Sequence, residues 1–246
     1  MEETNISQEQ NPLGAAPVGG LILKFAIPAI ISMLVSAMYN IVDQIFIGQG
    51  VGMLGNAATN VAFPVTTIAT ALALLLGIGG ASNYNLEMGA GREQRASSIA
   101  GTALSTLVIT GAVLALVVLL FLRPLLGLFG ATTDVMPYAV DYLGITAVGL
   151  PFYVLSIGGN HIVRADRSPT YSMTCVLTGA VINTILDPLF IFGFGWGIKG
   201  AAWATVIGQV VSGILVIIYF GKFRKMYLVI RMLKPSSECL KAIISL

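Results

Sequence analysis

Two acidic residues stand inside apolar stretches that offer a carboxylate no solvent. Asp187 lies in SPTYSMTCVLTGAVINTILDPLFIFGFGWGIKGAAWAT (168–205), and Asp43 in YNIVDQIFIGQG (39–50). A carboxylate near mid-membrane costs roughly 2.5–3.5 kcal/mol to insert, so each acid marks a candidate site. Asn183 precedes Asp187 by four residues and shares its helical face. Pro188 has no N–H and crowds the carbonyl of Thr184, which leaves that oxygen open to an ion, a water or a neighbouring helix. An acid, an amide and a freed carbonyl within one turn suit a cation or a proton. The plainer reading is a buried polar knot that only locks helices together.

Depth along the helices argues for the first reading. Asp43 is five residues before Gly48, and Asp187 six before Gly193. Thr205 is six residues after Lys199, and Tyr142 five after Pro137. At about 1.5 Å per residue, all four lie roughly 7–9 Å below the same ends of their helices. Four helices thus bring polar groups to one level, as a chamber requires. Two carboxylates in a low-dielectric chamber cannot both stay ionised without a cation. They would titrate as one coupled unit. Either H⁺ or Na⁺ held by Asp43, Asn183, Asp187 and the Thr205 hydroxyl meets the need, and the residue types do not choose between them.

These residues need a membrane-embedded scaffold. The 246-residue chain is 56% hydrophobic and only 10% charged, with a mean hydropathy of +0.89. Soluble chains carry about 25% charged residues. The expected fold is therefore all-α: a polytopic bundle of six transmembrane helices at about 21–47, 57–80, 97–121, 137–160, 169–193 and 199–220. Residues 1–20 are polar and acidic and read as a flexible cytoplasmic tail, with no cleavable signal. Residues 221–246 read as a cytoplasmic linker, whose apolar end, Cys239 to Leu246, is too short to span. Lys24, Arg92, Arg95, Arg164, Arg167 and the six basic residues after the last span fall on one side; only Arg123 and Lys199 fall on the other. The positive-inside rule then places both termini in the cytoplasm of a cell whose plasma (inner) membrane holds the bundle.

Other polar residues are weaker signals. Ser32, Ser36, Tyr39 and Asp43 form one face of the first span, which must point into the bundle. Ala201, Thr205, Gly208 and Ser212 form a small-residue face on the sixth, with Gln209 one turn below Thr205. The segment NYNLEMGAGREQRAS (83–97) reads as a cytoplasmic loop; no strand precedes its glycines, so it is not a phosphate loop. His161, the single histidine, reads as interfacial, and Asn160 as lying at the inner end, far from the acids. Cys175 and Cys239 suggest no disulfide. An enzyme acting on lipids would need acids, His or Cys clustered at a membrane face, and none is evident. No feature calls for nucleic acid or a cofactor other than the coupling ion.

The distributed motifs resemble the MATE family, the multidrug and toxic compound extrusion transporters. YNIVDQIFIGQG after Pro28 resembles the family's first helix with its acid. NLEMGAG (85–91) resembles the Gly-Ala-Gly turn after the second, and NHIVRADRSPTY (160–171) the loop before the fifth. NTILDPLFIFGFGWGIKGAAWATVIGQ (183–209) is the most specific, resembling the Asn-x3-Asp fifth and Gly-x2-Gly-Ala-Ala-x-Ala-Thr sixth helices. The resemblance implies antiport: organic, often cationic, drugs and toxic compounds leave as Na⁺ or H⁺ enters. By matching position, it implies that Asp43, Asn183, Asp187 and Thr205 bind the cation, with Tyr39 and Tyr142 as supporting hydrogen-bond partners. Family members have two six-helix lobes, and this chain matches the N-terminal one. RMLKPSSECLKAIISL (231–246) resembles the linker into a seventh helix, so the chain reads as truncated, with a second lobe or a second copy as its partner. Alternatives are a lipid or oligosaccharide flippase of related fold and a non-transporting remnant.

Overall fold

The computed structural model describes residues 18–223, 226, 232 and 235–245. Helix α1 runs Val18–Gly50, α2 Met53–Gly89, α3 Glu93–Leu120 and the short α4 Leu122–Leu128. Helix α5 runs Met136–Ala165, α6 Pro169–Pro188, α7 Ile198–Ile218 and α8 Ser237–Ile244. Six of these are long and apolar enough to cross a membrane: α1, α2, α3, α5, α6 and α7. No strand occurs among the described residues.

Helix α5 is the axis of the bundle and packs on α2, α3 and α7. Helix α7 in turn holds α6, and α6 holds α1. Small residues allow this. The buried face of α2 carries Ala58, Ala62, Ala69 and Ala73 at helical spacing. A Cβ on Gly77 would lie 2.5 Å from the Cα of Gly158 on α5, so only glycine permits that crossing. In lipid, helix association depends on such close packing rather than on a hydrophobic drive. The large apolar side chains of α1, such as Met33, Leu34 and Met38, stay exposed.

Two boundaries differ from expectation. The stretch expected as a loop over 83–97 is mostly helical: α2 continues to Gly89, and the turn is only Ala90 to Arg92, with Gly91 at φ +75°. Polar residues here mark a helix leaving the membrane rather than the end of the helix. Residues 1–17 of the expected tail lie outside the described residues, and Val18–Gly20 begin α1. The expected linker is described only in part. Within it, α8 docks on the ends of α2 and α3, where Asn83 Nδ2 donates to the Ala242 carbonyl at 2.9 Å and Arg95 pairs with Glu238 at 3.3 Å.

Beyond Pro188, α6 widens into a π-helical turn, Leu189–Gly193. The proline withholds one N–H from the ladder, and a widened turn is a common local answer. Gly195 and Gly197, both at positive φ, then reverse the chain into α7.

Candidate functional site

The six residues singled out from the sequence converge. Asp43 comes from α1, Asn183 and Asp187 from α6, Thr205 from α7 and Tyr142 from α5. Asp43, Asn183 and Asp187 are all buried. The Asp43 and Asp187 carboxyls lie within hydrogen-bonding reach of each other. Asn183 Nδ2 is 3.4 Å from Asp187 Oδ1 and 3.5 Å from Thr205 Oγ1. The Tyr142 hydroxyl lies beside Thr205, and Tyr39 is near enough to interact electrostatically with both acids.

The backbone explains the convergence of α6 and α7. A Cβ on Gly208 would meet the Gly179 carbonyl oxygen at 2.8 Å, and one on Gly179 would meet that of Gly208 at the same distance. The two helices therefore touch one turn from Asn183, which brings its amide to Thr205.

The acid pair is short of donors. Neither carboxyl has a Lys or Arg partner among the described residues. Gln44 Nε2 approaches Asp43 Oδ2 at 3.5 Å and is itself held by Thr59, whose hydroxyl donates to Gln44 Oε1 at 3.0 Å. Asp43 Oδ1 is buried and receives no N–H or O–H. Buried polar atoms are nearly always satisfied, and an exception calls for an explanation. A proton shared between the acids, or a cation, supplies one. Two carboxylates, an amide oxygen and a hydroxyl are hard oxygen ligands that suit an alkali cation as well as a proton.

Tyr39, Asn183 and Thr205, though neither acid, line a cavity of about 570 Å³. The cavity runs along α5 past Ser156 and Asn160 to His161 and Arg164. Asn160, several turns of α5 from the level of the acids, lines this cavity, with its Oδ1 buried and unpartnered. His161 is half-buried in the cavity wall. Gln44 went unnoticed because it adjoins Asp43 in sequence and so points away from that face of an isolated helix.

A second polar cluster sits beyond the far end of the cavity. Asp166, buried, accepts hydrogen bonds from Tyr219 at 2.6 Å and Tyr84 at 3.3 Å, and Tyr219 lies 2.9 Å from Ser168. These residues tie α2, the α5–α6 turn and α7 together.

The structure is thus a six-span membrane bundle that buries a pair of carboxyls near a largely apolar cavity. The chain belongs to the MATE family of membrane transporters: the MatE family model matches residues 28–189. It is 35% identical over 222 residues to the FAD transporter of Shewanella oneidensis, covering 86% of this chain and 48% of that one. It is 29% identical over 229 residues to the multidrug export protein MepA of Staphylococcus aureus, covering 93% of this chain and 51% of that one. A solved MOP superfamily transporter from Pyrococcus furiosus, described as having a binding pocket of reverse polarity, is similar with a TM-score of 0.83 and 31% identity. That match covers 91% of this chain and 50% of the other. The chain thus spans about half the length of the relatives it matches.

Proposed function

We propose that this lobe is the cation-coupling half of an antiporter that exports organic small molecules as Na⁺ or H⁺ enters. The observation that carries the reading is the buried contact between Asp43 and Asp187, with no basic side chain to neutralise it. One cation on the pair removes repulsion between α1 and α6. Its departure restores that repulsion, and the two helices then favour a different packing. A cation that binds one packing better than the other shifts the population toward it. Pro28 in α1, and Pro188 with its π-helical turn in α6, are the places where that motion is absorbed. Asn183 and Thr205 complete the oxygen set, while Tyr142 and Tyr39 orient it.

The partner is a second six-helix lobe, which would complete the cleft that α1 leaves open. The uneven distribution of Lys and Arg supports a plasma-membrane protein with both termini in the cytoplasm. The relatives' names span an FAD transporter and a multidrug exporter, so the family reading leaves the cargo open.

The test is Asp187→Asn, with Asp43→Asn beside it. Each should abolish cation-dependent efflux in any assembly that transports, while the helical content and elution volume of the purified chain stay unchanged. Efflux that keeps its cation dependence in both variants would refute the mechanism.

A further inference from the structure

The cavity has two chemically different ends. Asn183 and Thr205 line one. At the other, Arg164 and His161 occupy successive turns of α5, both half-buried and both in the wall. Arg164 donates through Nε to Ser172 Oγ at 3.0 Å, and among the described residues it makes no ion pair. Its two terminal NH₂ groups are therefore left for something else. No Asp or Glu belongs to the lining of this cavity.

Guanidinium groups favour planar oxyanions, which they grip through two parallel hydrogen bonds. A half-buried one without a carboxylate has strong reason to accept such a ligand. Between the two ends, Asn160 and Gln209 line the wall, while their Oδ1 and Oε1 are sealed within the protein and receive no hydrogen bond. The volume, about 570 Å³, is in the range that holds a drug-sized molecule.

We propose that this cavity binds an organic anion, its phosphate or carboxylate on Arg164 beside His161 and its apolar body along the largely apolar wall. This rests on the reading of the chain as an exporter lobe and names the charge of its cargo. It also departs from the expectation of often cationic compounds. The acidic group comes either from a soluble compound or from a lipid headgroup, and the chemistry at Arg164 is the same for both.

Flavin mononucleotide and riboflavin make a matched pair of probes: one ring system with an N–H, with and without a phosphate. Binding is followed by flavin fluorescence on the purified chain in phosphatidylcholine nanodiscs, with no ion gradient. The phosphorylated probe should bind about tenfold more tightly than riboflavin, the scale of one charge-assisted pair. Arg164→Gln should bring the two probes level, and Arg164→Lys should fall between. Phosphatidylglycerol that displaces the probe identifies a headgroup as the natural source; failure to displace it identifies a soluble anion. Equal affinity for the two probes in the unmodified chain would overturn the proposal, and so would undiminished discrimination in Arg164→Gln. The first comparison decides the matter even if that variant does not fold. Cation coupling is read separately, from Na⁺ binding without any flavin, so either idea can fail alone.

Discussion

The chain buries aspartates in two places and treats them in opposite ways. Asp166 is surrounded by donors: two tyrosine hydroxyls reach it, from α2 and from the residue that follows α7. Asp43 and Asp187 are set against each other, and one oxygen of Asp43 receives nothing. A fully satisfied buried acid is a fastener that holds one arrangement of helices. A pair of acids short of donors is a vacancy for positive charge, and its occupancy can select between arrangements. The same residue type therefore does structural work at one end of the lobe and ion chemistry at the other.

Removing either acid of the pair should have the largest functional effect. Asp187→Asn should eliminate Na⁺ binding or its proton equivalent, read by titration calorimetry on the purified chain, and leave the thermal midpoint unchanged or raised. The reverse pattern belongs to Asp166. Asp166→Ala strips the acceptor from two buried tyrosines and should cost about 3 kcal/mol, at the upper end for hydrogen bonds to a charged group. Thermal unfolding in detergent would show it, with cation binding to the remaining folded protein intact. If Asp166→Ala removes cation binding as thoroughly as Asp187→Asn, the contrast between fastener and ion site collapses.

Two smaller effects sharpen it. Gly208→Leu places side-chain atoms against the Gly179 carbonyl and should destabilise by about 1–3 kcal/mol while weakening cation binding, because it pushes Thr205 away from Asn183. Tyr142→Phe loses only the hydroxyl that meets Thr205. It should weaken cation affinity about fivefold, equivalent to about 1 kcal/mol, with no change in fold.

Much of the ion site was legible because membrane helices impose a ruler. Once the apolar runs give the spans, counting residues from their ends puts Asp43, Tyr142, Asp187 and Thr205 at one depth. What counting does not give is lateral order. Asn160 is several turns away from that level along α5, and only the packed bundle shows that one cavity touches Asn160, Asn183 and Thr205. Gln209 was placed only as a neighbour of Thr205, and its unpartnered oxygen emerges only when α5 packs against α7. Asp166 sits in Arg-Ala-Asp-Arg-Ser, which reads as a solvated turn. Its burial depends on Tyr84 and Tyr219, which are far away in sequence. Long-range tyrosine–carboxylate contacts leave no local pattern to find. The continuation of α2 through Glu87 was hidden for another reason: a helix that leaves the bilayer becomes polar without ceasing to be a helix.

The most direct measurement is infrared difference spectroscopy of the purified chain, following the carbonyl band of a protonated carboxyl as Na⁺ is added or pH is raised. The account predicts a band that disappears under either treatment and is absent from both Asp43→Asn and Asp187→Asn, because the two acids hold one positive charge between them. A band that ignores Na⁺ and pH, or that persists unchanged in both variants, would show that these carboxyls do not form the ion site.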